Sequence, residues 1–212
     1  MPLVPQHIES LRAYEPACSI EEVKKKYGLE RVAKLASNEN PLGPSPLAIE
    51  AIPRSLRSLN YYQNGGLDLR ERLAERFRVK IGNVIAGAGS DAIMSVIVRT
   101  FLCDDDEVLT TESAFIGFQV LARSRGVKYR TVPYHGWRYD LPALAAAINE
   151  KTKIVYLANP NNPTGTIFTL RDSMTFTPRC RSACSLFWTK RISSTRGTIR
   201  IIRIRWRIAT TM

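Results

Sequence analysis

The chain has 212 residues, with 31 Lys and Arg against 19 Asp and Glu, and a formal net charge of +12. That length supports one sizeable core, and no stretch resembles a secretory leader or a membrane span, so a soluble cytoplasmic protein is expected. The charge does not make nucleic acid or anionic lipid the favoured partner, because residues 1–170 carry 21 basic and 18 acidic side chains, net +3, whereas residues 171–212 carry 10 basic ones and Asp172 alone, net +9.

In chain order, Ser19-Ile20-Glu21-Glu22 reads as a capping box opening a short helix that ends near Gly28. Ser45-Pro46 starts a second helix, Ser as N-cap and Pro in the first turn, running to Leu56. A third spans Leu67 to Phe77 with Leu67, Leu69, Leu73, Ala74 and Phe77 as its buried stripe. Then the order becomes regular: strand Asn83–Ala86, helix Asp91–Phe101, strand Glu107–Thr111, helix Phe115–Arg125, strand Lys128–Pro133, helix Leu141–Asn149, strand Lys153–Ala158. This alternation predicts an α/β fold, a mostly parallel sheet with helices on both faces and ligands beyond the carboxyl ends of the strands. The four cysteines (Cys18, Cys103, Cys180, Cys184) and two histidines (His7, His135) show no metal-ligand spacing, so no metal site is expected.

Three loops after strands carry candidate chemistry. Gly87-Ala88-Gly89-Ser90-Asp91 joins a strand to a helix, so backbone N–H groups, the helix dipole and a hydroxyl can approach a phosphate. Phe115 follows the next strand and offers a flat face for a flat, electron-poor ring. Asn162 stands in Ala158-Asn159-Pro160-Asn161-Asn162-Pro163-Thr164-Gly165 after the last strand. A tight turn, a core aromatic and a plain Asn-Pro loop are the structural alternatives.

The last run resembles the A-x-P-x-N-P-T-G signature of aminotransferases that use pyridoxal 5'-phosphate (PLP). Lys34-Leu35-Ala36-Ser37-Asn38-Glu39-Asn40-Pro41-Leu42-Gly43-Pro44 resembles the L-x-x-N-E-N-P-L-G-P segment of histidinol-phosphate aminotransferases. The likeness covers about residues 7–170, less than half of a complete enzyme of this class. It implies a partial fold-type I PLP-transferase large domain at 45–170, preceded by an N-terminal arm and small-domain segment at 1–44. It also implies that Asn162 meets the cofactor's phenolic oxygen, that Gly89, Ser90 and Asp91 form the phosphate cup, and that Phe115 stacks on the ring. Tyr62, in Tyr61-Tyr62-Gln63-Asn64-Gly65, would reach a partner subunit's cofactor phosphate in a homodimer. Tyr14 and Asn38 would face a small amino-acid substrate, although Ala13 stands where the family places Pro before that Tyr.

Transamination needs a lysine that bonds to the cofactor and shuttles a proton, and an Asp that keeps the pyridine nitrogen protonated. The family carries them in an S-K-x and a D-E-A-Y motif. Neither occurs in this sequence, so no catalytic residue is assigned, and weak, non-covalent PLP binding without turnover is expected. Residues 171–212 look unlike the family and are expected to be poorly ordered. In particular, nothing earlier in the sequence suggests a strand partner for the alternating Ile199–Arg207 stretch.

A frameshift near residues 170–174 explains this tail. Joining the third base of each codon to the first two of the next turns Trp188-Thr189, TGG then ACN, into an obligatory Asp, and Met174-Thr175 does likewise. From Arg179 onward, permitted codons spell an acidic continuation that includes D-E-A-Y, and the nucleotide sequence decides the matter. Two other readings stay open: a cationic tail module for nucleic acid or membrane surfaces, with Trp206 stacking or anchoring, and a non-catalytic partner protein.

Overall fold

The structure, a computed structural model, describes residues 2–11, 18–35, 38–40, 42–62, 64–169, 171–173, 176, 185–194 and 197–205. It divides into two compact units, residues 12–63 and residues 1–11 with 64–212.

The larger unit holds a five-stranded sheet. Its strands are β1 (Glu107–Thr111), β2 (Lys128–Val132), β3 (Thr152–Asn159), β4 (Ser185–Ser194) and β5 (Gly197–Arg205), in the order β2-β1-β3-β4-β5. The first four are mutually parallel, and β5 returns antiparallel to β4. The Ile-Arg stretch that had no evident partner is placed as β5, with Ile199 opposite Ile192 and Ile204 opposite Phe187 in register.

The larger unit also contains α1 (Gln6–Glu9), α4 (Leu67–Phe77), α5 (Gly89–Phe101), α6 (Ile116–Ser124) and α7 (Leu141–Ala147). Alternate strand residues face opposite ways, which divides the core in two. Val108, Ile154 and Tyr156 pack with Met94, Ile97 and Val98 of α5 and Phe118 and Ala122 of α6. Leu109, Val155 and Leu157 pack with Leu141 and Leu144 of α7, joined by Phe168 and Phe176. The Phe118 ring stacks on Tyr156 at 4.1 Å between centroids with 7° between planes, a contact worth about 1 kcal/mol beyond the burial itself.

The amino end of the sheet is tied by buried Glu107. Its Oε1 accepts from Arg130 (2.6 Å), Asn149 (2.7 Å) and Thr152 (3.2 Å), linking β1, β2 and the turn into β3. Burial alone would raise this carboxyl's pKa. The three donors and the Arg130 charge outweigh it and hold the group below its usual value.

Two expectations fail here. The strand at Asn83–Ala86 does not form: Ile81–Asn83 is a 3-10 turn and Val84, though extended, pairs with no strand among the described residues. Arg70 of α4 answers its carbonyl instead, donating to Val84 O (2.9 Å) and to Ile81 O (3.3 Å). The same contact decides which side of α4 is covered. Ala74 is buried and Leu73 and Phe77 are half-buried beside Arg70, while Leu67 and Leu69 of the expected stripe stay exposed.

The smaller unit holds α2 (Ile20–Tyr27) and α3 (Pro46–Leu56). The capping box at α2 forms as predicted: Glu22 N–H donates to Ser19 Oγ (3.1 Å) and Ser19 N–H to Glu22 Oε2 (2.7 Å), with Gly28 closing the helix at φ +66°. Ser45 is the N-cap of α3, but its side chain makes no capping bond. Asn40 closes a turn by accepting from Leu42 N–H and donating to Gly43 O, both at 3.1 Å.

Candidate functional site

Because β1 and β3 are parallel neighbours, the turn after Thr111 and the loop after Asn159 leave the sheet at the same edge. Helix α5 brings a third element there. It enters β1 through the short turn 102–106, pinned by the Cys103 N–H bond to Asp106 Oδ2 (2.7 Å), so helix and strand run in opposite directions. A 13-residue helix is about 20 Å long and a five-residue strand about 17 Å, so the amino end of α5 reaches the carboxyl end of β1. Both Ile93, the fifth residue of α5, and Phe115 pack against the same core cluster.

The α5 entry is built to let a ligand approach backbone. Ala88 is the N-cap and supplies no side-chain bond to the first-turn N–H groups, and the Gly89 N–H turns back onto Gly87 O (2.8 Å). Gly89 sits at φ +78°, and a Cβ on Gly87 would lie 2.9 Å from Ile93 Cδ1. The positive end of the helix dipole and these donors suit an anion.

Phe115 is the N-cap residue of α6, partly buried. Its ring lies over Gly117, where a Cβ would be 2.6 Å from Phe115 Cε1, so the missing side chain at 117 is what lets the ring rest there.

The tandem asparagines divide their work. Asn161 is buried and fully engaged: Oδ1 accepts from the Tyr139 hydroxyl (2.7 Å), and Nδ2 donates to Tyr134 (2.9 Å) and Thr164 (2.8 Å). Asn162 is half-buried, and among the described residues its side-chain amide has no hydrogen-bond partner. The peptide bonds Asn159-Pro160 and Asn162-Pro163 are both cis.

The other candidates fall in the smaller unit or outside the described residues. Asn38 is exposed, and Tyr62 is fully exposed, at 106%. Tyr14 lies outside the described residues.

The sequence missed the frame around the loop: Tyr134, Tyr139, Asn161, Thr164 and Thr166. Its only local signal was the doubled Asn, and the choice of which Asn is buried is made by Tyr139, 22 residues earlier. Among the described residues no cluster of His, Cys, Asp and Glu could hold a metal ion, and no helix is long and apolar enough to cross a membrane.

The family model of aminotransferase class I and II matches residues 30–187. The histidinol-phosphate aminotransferase of Anaeromyxobacter sp. is 44% identical over 171 residues, 80% of this chain and 47% of that protein. The one of Moorella thermoacetica is 40% identical over 168 residues, 79% of this chain and 44% of that protein. The solved histidinol-phosphate aminotransferase of Sinorhizobium meliloti, in complex with pyridoxal-5'-phosphate, matches with a TM-score of 0.77 at 27% identity, over 89% of this chain and 50% of that one. Aspartate aminotransferase from Thermus thermophilus matches in fold alone, with a TM-score of 0.75 at 20% identity, over 90% and 53%. The chain spans about half the length of the curated relatives it matches.

Proposed function

Since the chain belongs to the class I and II aminotransferases, we propose that it carries the PLP-binding part of a histidinol-phosphate transaminase, whose complete form moves an amino group between L-histidinol phosphate and 2-oxoglutarate in histidine biosynthesis. The observation that supports this reading is that the Phe115 turn and the Asn162 loop follow the parallel neighbours β1 and β3 at the same end of the sheet.

The residues present fit the cofactor. The first turn of α5, entered through glycines at 87 and 89, sets the positive end of the helix dipole and the backbone of Gly89, Ser90 and Asp91 toward the cofactor's phosphate. Phe115 supplies an aromatic face for the pyridine ring. Asn162, whose neighbour Asn161 takes the structural bonds, has its amide available to donate to the phenolic oxygen. When bound, PLP supplies the electron sink that makes the substrate's Cα–H acidic. Holding and orienting are the tasks of this chain's own residues.

Tyr62, fully exposed, serves a partner subunit's phosphate in a homodimer, and Tyr14 and Asn38 face the substrate. The protein works in the cytoplasm. The sequence lacks both the S-K-x lysine and the D-E-A-Y aspartate, so this chain binds PLP non-covalently and does not turn over. The relatives favour this reading over a cationic module or a non-catalytic partner.

The test is an absorbance titration of the full chain with PLP. Asn162→Ala is expected to weaken binding about tenfold, the loss of roughly one hydrogen bond to a charged oxygen. In the same preparation, histidinol phosphate and 2-oxoglutarate should yield no glutamate. Equal affinity in the two proteins overturns the role of Asn162, and glutamate formation overturns the inactivity.

A further inference from the structure

We propose that Tyr139 is the positioning residue of the Asn162 loop; its relevance to the cofactor rests on the reading above that Asn162 meets PLP. Tyr139 immediately precedes Asp140, the N-cap of α7, far from the loop in sequence. Its hydroxyl bridges the two sides of the loop's entry. It accepts from the Ala158 N–H at the end of β3 (3.0 Å) and donates to Asn161 Oδ1 (2.7 Å).

Asn161 transmits that grip. Its Nδ2 donates to Tyr134 and Thr164, its backbone N–H donates to Thr166 O (2.8 Å), and its carbonyl accepts from Gly165 N–H (2.8 Å). The far end of the loop is closed by Asn159, which donates to Phe168 O (2.8 Å) and accepts from Phe168 N–H (3.2 Å). Thr166 Oγ1 adds a bond to Trp137 O (3.0 Å). Among the described residues, Asn162 is therefore the side chain without a hydrogen bond on a loop whose Asn159, Asn161, Thr164 and Thr166 are committed to one another, to Phe168 or to the segment 134–139.

Nothing about Tyr139 lets it swing away. It is 9% exposed, with edge-on contacts to Tyr134 at 6.0 Å and Phe168 at 5.8 Å between centroids. Burial also raises its pKa well above that of a free phenol, so the hydroxyl stays a donor across physiological pH. Without it, the Ala158 N–H and the Asn161 amide oxygen are left unmatched in a buried place, while the sheet ladder is untouched.

Tyr139→Phe in the full chain tests this, by two readouts. Hydrogen exchange at the Asn161 and Gly165 amides should quicken at least tenfold while the β1 amides stay as they were. The PLP dissociation constant should rise about tenfold, and the Tyr139→Phe/Asn162→Ala double variant should bind no more weakly than Asn162→Ala alone, because Tyr139 acts through that residue. A purely structural contribution would instead give additive losses. Unchanged exchange at Asn161 and Gly165, or additivity, overturns the proposal. If exchange quickens but Asn162→Ala leaves PLP affinity intact, the clamp stands and the cofactor reading falls. Should Tyr139→Phe fail to fold, Tyr134→Phe, which removes one of the two bonds to Asn161 Nδ2, is read in its place, with about threefold faster exchange expected and unchanged exchange counting against the clamp.

Discussion

Helices α3 and α5 are both amphipathic and of similar length, yet they end differently. Helix α5 buries Met94, Ile97 and Val98 against β1 and β3. On α3, Leu47, Ile49, Ile52 and Leu56 remain 54% to 75% exposed, and no α3 residue is buried. Periodicity tells a helix which side is apolar. A covering surface is a separate matter, which α5 finds in the sheet and α3 does not find among the described residues.

The largest effect that sharpens this contrast is Phe118→Ala. The ring, carried by α6, is fully buried and stacked on Tyr156 of β3, and its loss should cost about 3–5 kcal/mol in denaturant unfolding of the full chain, most of a small domain's stability. Next comes Glu107→Gln, expected to cost about 2–3 kcal/mol by the same measurement, because charge-assisted bonds from Arg130 and Asn149 are weakened at a 2% exposed site.

Glu107 also carries a pH signature. Its folded pKa is depressed, so its contribution is complete above the ordinary value of 4.5 and is lost as pH falls through the folded value. The wild-type chain should lose stability steeply there, and Glu107→Gln should do so less. Parallel acid curves would remove the network's role. The smallest effect is Ile52→Ser, within about 0.5 kcal/mol. A cost near that of the core substitutions would show that the α3 face is covered in solution and would break the contrast.

Strands β1, β2 and β3 were legible because each is a short run flanked by helical periodicity, and their observed limits differ from expectation by a residue or two, whereas β4 lies in the tail where no strand was expected. The strand at 83–86 misled because Val84-Ile85 looks like any short apolar strand, whereas a ladder needs a neighbour and Arg70 had already taken the carbonyl. The α4 stripe misled for a related reason: a guanidinium, not a leucine, holds the facing position. In the site, Gly89, Phe115 and Asn162 could be picked out because each follows a strand or opens a helix. The aromatic frame under Asn162 could not, since its bonds join residues 19 to 29 positions apart and leave no periodic mark.

The bare Cα at position 117 sets the tilt of the Phe115 ring. Adding a single methyl there would push the ring off its bed while leaving both the ring and the sheet chemically intact. If Phe115 stacks on a cofactor as proposed, a substitution at 117 would act through the angle of that ring, so it would be felt as a change in stacking rather than in charge.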